Sequence, residues 1–109
     1  MADRIGGFKL HNGGGFACAG KVTHQNPGPR VTTAAETGNI LLGQEFEVNP
    51  GSLGVPNGST VWLHVDVKGG SDAEAAQDFL YDAASPRRAR YVISGTTWDN
   101  QLGLISVEG

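Results

Sequence analysis

Apolar and polar residues alternate along much of the chain, and this alternation is typical of strands with one buried face. The clearest run covers residues 61–68, in which four apolar side chains alternate with Trp62, His64, Asp66 and Lys68. Because successive side chains of a strand point to opposite faces, the apolar set is expected to face a core. We therefore predict a long central strand here.

Shorter alternating runs indicate further strands at residues 8–11, 16–25, 31–33, 45–48, 79–81, 91–94 and 102–107. Residues 12–15, Asn-Gly-Gly-Gly, are expected to supply the positive-φ positions of a hairpin turn. In the second of these runs Gly20 lies among inward positions, so another group is expected to pack closely there. The only helix-like stretch is residues 71–77, with capping-box spacing between Ser71 and Glu74, although an irregular loop is the alternative.

These runs give seven or eight short strands in 109 residues, which fits one domain covering residues 1–109. Seventeen glycines without a fixed period mark many turns rather than a low-complexity linker. We predict an all-β fold, a single small β-sandwich of mostly antiparallel strands. An up-and-down barrel remains open, because periodicity does not order strands into sheets.

The charge of the chain argues against nucleic acid as a partner. Its formal net charge is −3, whereas nucleic-acid binders usually carry a basic stripe. Residues 1–7 lack the apolar core of a signal peptide, and no stretch has transmembrane length. We therefore expect a soluble protein that is cytoplasmic at synthesis. Release to the cell exterior without a classical signal is the alternative.

The sequence offers no catalytic or metal-binding pattern. Cys18 is alone in an apolar run, which favours a buried, inert thiol. His11, His24 and His64 have no ligand spacing, and the acidic residues 66–82 do not follow a calcium-loop pattern. We therefore expect no enzyme, no metal and no cofactor.

Trp98 is the strongest candidate for ligand binding, because it lies in a polar loop rather than in an alternating strand. A tryptophan at a loop end supplies a broad contact area, either for a sugar ring or for a lipid headgroup. The alternative is that Trp98 folds back and caps the open end of the sandwich. The other predicted ligand contacts are Thr96, Thr97, Asp99, Asn100, Arg87 and Arg88. The two arginines would contact anionic headgroups. Alternatively, they lie in a turn that is exposed to solvent and bind no ligand.

Trp62 and His64 share the polar face of the central strand, which is expected to be exposed in a two-sheet sandwich. Such a pair predicts an interface with a partner or with a second copy of the chain. The leading hypothesis is thus a non-enzymatic module that binds a glycan or lipid headgroup through loops. The alternative is a structural or protein-interaction subunit that forms a homo-oligomer through this strand face.

Three segments resemble the C-terminal, membrane-recognising β-sandwich domain of the cholesterol-dependent cytolysins. They are residues 14–22, 57–65 and 91–97, the last ending in Gly95-Thr96-Thr97. The aegerolysins, another lipid-binding sandwich family, are similar in layout. Residues 68–78 contain no Trp, Cys or Arg where the cytolysins have their tryptophan-rich loop, and Trp98 stands where they have leucine. The resemblance implies a sandwich with a binding surface at its loop end, rather than cholesterol binding.

Overall fold

The computed structural model describes residues 3–109, and this part of the chain is almost entirely β-structure. A single short 3₁₀ turn, Gly51–Leu53, is its only helical element within those residues. The strands are β1 (Arg4–Ile5), β2 (Gly7–Asn12), β3 (Cys18–Gln25), β4 (Val31–Thr32), β5 (Glu45–Val48), β6 (Thr60–Val67), β7 (Ala73–Glu74), β8 (Phe79–Tyr81), β9 (Arg88–Gly95) and β10 (Asn100–Glu108).

The strands form two sheets that pack face to face, which confirms the predicted β-sandwich. One sheet has the order β1-β8-β6-β3-β4, with β7 also paired to β6, and the other has the order β10-β9-β2-β5. Most neighbours are antiparallel. The exceptions are β1 beside β8 and β2 beside β9, which run parallel.

The parallel pairs arise because the first segment of the chain crosses from one sheet to the other. β1 belongs to the six-stranded sheet and β2 to the four-stranded sheet, with buried Gly6 between them. A methyl group on Gly6 would overlap the carbonyl oxygen of Ser85. The crossing therefore needs a residue without a side chain. It connects the two sheets covalently through residues 5–7.

The core follows the alternation of the sequence. The inward side chains of β6 are at most 1% exposed, and they face buried residues of β2 and β9 such as Phe8, Leu10 and Ile93. Gly20 of β3 lies against Val48 of β5, and a methyl group at Gly20 would overlap that side chain. This contact confirms the close approach expected at Gly20.

Two expectations about connections are wrong. None of the three glycines at residues 13–15 has a positive φ, and they join β2 to β3 in the opposite sheet rather than closing a hairpin. The helix-like stretch 71–77 is not helical: Ala73 and Glu74 form β7 and pair with Val65 and His64. Ala75 is buried, so tertiary pairing and burial outweigh the helix propensity of alanine here.

Candidate functional site

Trp98 lies at the tip of the hairpin that joins β9 to β10, and it is 73% exposed. Gly95 begins the turn with a φ of 102°, a conformation that favours glycine. The Thr96 hydroxyl then accepts a hydrogen bond from the backbone N–H of Asp99 at 3.0 Å. Trp98 is thus presented to solvent by an ordered turn and does not fold back over the open end of the sandwich.

The hairpin tip is fastened to the turn between β6 and β7. The backbone N–H of Ser71 donates to the Thr97 carbonyl at 3.0 Å, and the Asn100 amide donates to the Ser71 carbonyl at 2.9 Å. Gly70 packs directly on Thr97. Contacts from two elements therefore fix where Trp98 stands.

A second apolar tip lies in the turn that precedes β5, where Leu41 is 54% exposed and Leu42 is 66% exposed. Hydrogen bonds close this turn on both sides: the backbone N–H of Gln44 donates to the Leu41 carbonyl, and the Gln44 side-chain oxygen accepts from the Leu41 N–H, both at 2.9 Å. Sequence reasoning missed this tip. The available signal was two adjacent leucines followed by Gly43, outside any alternating run.

The two tips lie at the same end of the molecule. Gly43 donates its backbone N–H to the Asn12 carbonyl at 2.7 Å, and Gly13 donates to the Ile93 carbonyl at 2.7 Å. Since β2 separates β5 from β9 and strands are spaced ~4.8 Å apart, the strands next to the two turns are roughly 10 Å apart across the sheet. We call this surface the Trp98 end and define it by Trp98, Leu41 and Leu42.

Asn12 organises the backbone beneath the Trp98 end, and it is fully buried. Its side-chain amide donates to the carbonyls of Phe16 at 2.6 Å and Ile40 at 2.9 Å, while its side-chain oxygen accepts from the Gly14 N–H at 2.9 Å. A residue that looks like a turn former in the sequence thus links the loops at this end. Nothing in the alternation pattern marks it as buried.

Arg87 and Arg88 do not join this site, which corrects their assignment as ligand contacts beside Trp98. β9 begins at Arg88 and reaches the Trp98 hairpin at its other end, so eight strand residues of roughly 3.3 Å each separate them. The Arg88 side chain instead pairs with Glu47 at 2.6 Å and donates to the Ser85 carbonyl. Pairing register, which alternation does not reveal, places them at opposite ends.

Trp62 and His64 do lie on the outer face of β6, but the expectation of an exposed strand face there is wrong. Trp62 is only 5% exposed, because the Arg30 guanidinium lies 3.8 Å from the centre of its ring. Both ring nitrogens of His64 are 3.0 Å from a carboxylate oxygen, of Asp72 on one side and Glu74 on the other. Both groups are engaged within the chain.

Cys18 is fully buried at the start of β3. Burial, together with the nearby charge of Asp66, raises the pKa of its thiol to about 11. A thiol with so high a pKa is a poor nucleophile at neutral pH. The thiol therefore belongs to the core, in agreement with the expectation from the sequence.

Residues 3–109 contain no pocket, no group of three or more metal-ligating side chains, and no helix long and apolar enough to span a bilayer. No protein-family model, curated protein or solved structure matched the chain. The Trp98 end is accordingly the surface on which we base a functional assignment.

Proposed function

We propose that this protein is a non-enzymatic recognition module that binds a membrane surface through the Trp98 end. The observation that carries the proposal is the placement of three large exposed apolar side chains, Trp98, Leu41 and Leu42, on ordered turns at one end. Tryptophan prefers the boundary between water and hydrocarbon, and leucine partitions into the hydrocarbon. Two such tips about 10 Å apart would enter one flat interface together.

Lipid is favoured over glycan because two of the four predicted polar contacts around Trp98, Thr96 and Asn100, already bond within the chain. The Thr96 hydroxyl is bonded within its own turn, and the Asn100 amide is bonded to Ser71. Sugar recognition requires polar groups that are free to bond hydroxyls, in addition to a stacking ring. Of the predicted polar contacts, Asp99 keeps an exposed side chain at the tip.

The charges near the Trp98 end favour zwitterionic rather than anionic lipid. Arg87 and Arg88 lie at the far end, and Lys68, at the end of β6, is bonded to Glu36 at 2.6 Å and Asp66 at 2.8 Å. Binding to anionic lipid through basic residues would weaken steeply with salt. The proposal therefore includes binding that is insensitive to ionic strength.

Burial of three partly exposed apolar side chains contributes about 4 kcal/mol before the costs of association are subtracted. A single copy should thus bind a vesicle weakly and reversibly, and each apolar residue of the end should contribute a measurable share.

The test is co-sedimentation with phosphatidylcholine vesicles, at low and high salt. Trp98→Ala, and separately Leu42→Ala, should each weaken binding about 5- to 10-fold, equivalent to about 1 kcal/mol or slightly more. The matched control is Val31→Ala, because Val31 is 51% exposed but pairs with His24 near the opposite end of the sandwich. Equal binding by wild type and Trp98→Ala, or binding abolished by salt, would contradict the proposal.

A glycan array separates the second ligand class. If immobilised glycans retain the protein through Trp98 while vesicles do not, the site is a sugar-binding site and the membrane proposal fails. Tryptophan fluorescence gives an independent readout, since Trp98 is exposed and Trp62 is buried. Vesicles should shift the emission of the wild type to the blue and leave the emission of Trp98→Phe unchanged.

A further inference from the structure

β10 forms a long open edge of the four-stranded sheet. It has nine residues and pairs with β9 on one side, and the part of the chain that the structure describes supplies no strand on its other side. The outward backbone N–H and C=O groups of such an edge match another extended strand. The edge therefore specifies the conformation of its partner.

The other edge strands are shorter or more strongly charged than β10. β1 and β4 have two residues each, and β5 has four residues including Glu45 and Glu47. Short length and charge are common protections against edge pairing. β10 contains no Lys, Arg or Pro, and its one charged residue, Glu108, is its last.

Apolar side chains of β10 overhang the core at this edge. Leu104 pairs with buried Tyr91 in register and shares its inward face, yet it remains 38% exposed. Ile105 forms the bulge in the pairing with β9 and is 52% exposed. A further strand beside β10 would cover Leu104 and extend the core across the edge.

We propose that the β10 edge binds the β10 edge of a second copy of this chain, antiparallel and about a two-fold axis at Gly103. This pairing places Leu102 of one copy beside Leu104 of the other, twice by symmetry, so that two apolar pairs continue the inward face. Glu108 lies outside the paired residues, and its carboxylate forms a salt bridge with the Arg90 guanidinium at 3.0 Å. No like charges then oppose each other across the axis.

A second copy is the favoured occupant because β10 itself has the properties that the edge requires. The partner must be an extended, nearly uncharged strand with leucines on alternate positions, and Leu102 and Leu104 provide this spacing. Every copy of the chain carries this strand in a preformed, extended conformation. The ordering cost that a flexible peptide would incur is therefore largely avoided.

The antiparallel geometry has a consequence for the Trp98 end, although dimerisation itself does not depend on the proposed function. Each β10 begins beside its own Trp98 turn, so the two turns of the dimer point in opposite directions. If both proposals hold, the two Trp98 ends of the dimer bind two different vesicles and not the same one.

The first test is sedimentation equilibrium without vesicles, from micromolar to millimolar chain. The wild type should approach twice the 11.4 kDa chain mass, whereas Ile105→Lys should stay at the mass of one chain. Val31→Lys is the matched control, because Val31 on the β4 edge is 51% exposed against 52% for Ile105. The proposal is overturned if the wild type is monomeric at millimolar concentration, or if Ile105→Lys associates like Val31→Lys.

Disulfide trapping tests the axis. A side chain at Gly103 would meet no atom within 4 Å, so Gly103→Cys should leave the monomer intact and form a covalent dimer on mild oxidation. Gly15→Cys, at an equally open position on the Trp98 end, should cross-link much more slowly. Equal rates for the two variants would refute pairing at Gly103.

Discussion

The guanidinium of Arg30 lies over the indole of Trp62, with 3.8 Å between its central carbon and the ring centre. Arg30 precedes the two-residue strand β4 and is exposed, whereas Trp62 is buried on the outer face of β6. A flexible, charged side chain thus covers a large apolar ring that would otherwise face water. Such a pair contributes about 0.5–1 kcal/mol at an exposed site.

Replacing Arg30 with alanine should uncover Trp62 while changing the free energy of unfolding by no more than about 1 kcal/mol. In the Trp98→Phe variant, Trp62 is the only tryptophan in the chain. Its emission should move to the red and its quenching by acrylamide should increase. Arg4→Ala, on the far edge strand β1, serves as the control, and unchanged quenching in Arg30→Ala would show that another group covers the ring.

Asn12→Ala should destabilise the fold by about 3 kcal/mol, because it leaves the buried carbonyls of Phe16 and Ile40 without the amide that bonds them. Urea unfolding would measure the loss. Asn39→Ala, at an exposed position near the same turn, should change stability by less than about 0.5 kcal/mol. Similar losses for the two variants would mean that the buried hydrogen bonds of Asn12 contribute little.

Gly20→Ala should be destabilising on its own and partly rescued by Val48→Ala, since the added methyl group and the Val48 side chain compete for the same space. We expect a favourable coupling of about 1–2 kcal/mol in a double-mutant cycle based on urea midpoints. Additive effects would show that the sheets separate slightly at this point instead of clashing.

Gly70→Ala should weaken vesicle binding although it leaves Trp98 in place. A methyl group at Gly70 would overlap the Thr97 carbonyl, so the hairpin tip must move away from the β6–β7 turn. Gly15→Ala is the matched control, because a methyl group there meets no atom within 4 Å. If Gly70→Ala binds vesicles like the wild type, the position of the tip does not matter for binding.

Glu74 should make the fold sensitive to acid. Burial alone would raise the pKa of its carboxyl, but hydrogen bonds with Thr23 and His64 outweigh burial and lower the pKa below the ordinary 4.5. Because the folded-state pKa is the lower one, the stabilisation is present above pH 4.5 and is lost as pH falls through the folded-state pKa. Glu74→Gln should therefore be less stable near neutral pH and should lose less stability between pH 5 and pH 3, as measured by urea unfolding. An unchanged pH profile would mean that other carboxylates dominate, among them Asp66, whose pKa is lowered by its hydrogen bond to Lys68.

The strands of the core could be predicted from the sequence because burial of one face forces a period of two on their side chains. The same reasoning missed β1 and β7, since two residues carry no period. It also offered a short helix or an irregular loop at residues 71–77, where Ala73 and Glu74 instead pair with β6.

The candidate site was only partly accessible to sequence reasoning. A tryptophan in a polar turn indicated exposure, and Trp98 is exposed. Its neighbours in space depend on sheet order: Leu41 and Leu42 come to the same end because β2 bonds to both sides, while Arg88 is separated by the length of β9. Trp62 is covered by Arg30, which lies in the loop before β4, and the alternation pattern does not show that this loop contacts β6.

The crossing of the first segment between the two sheets also constrains how the chain folds. β1 pairs in parallel with β8, and β2 pairs in parallel with β9. These two pairs can therefore form only after residues 79–95 have been synthesised. Contacts between such distant parts of a sequence slow folding, because the intervening loop must be closed first. During synthesis, Phe8 and Leu10 would lack their β9 neighbours on the ribosome until residues 88–95 have emerged.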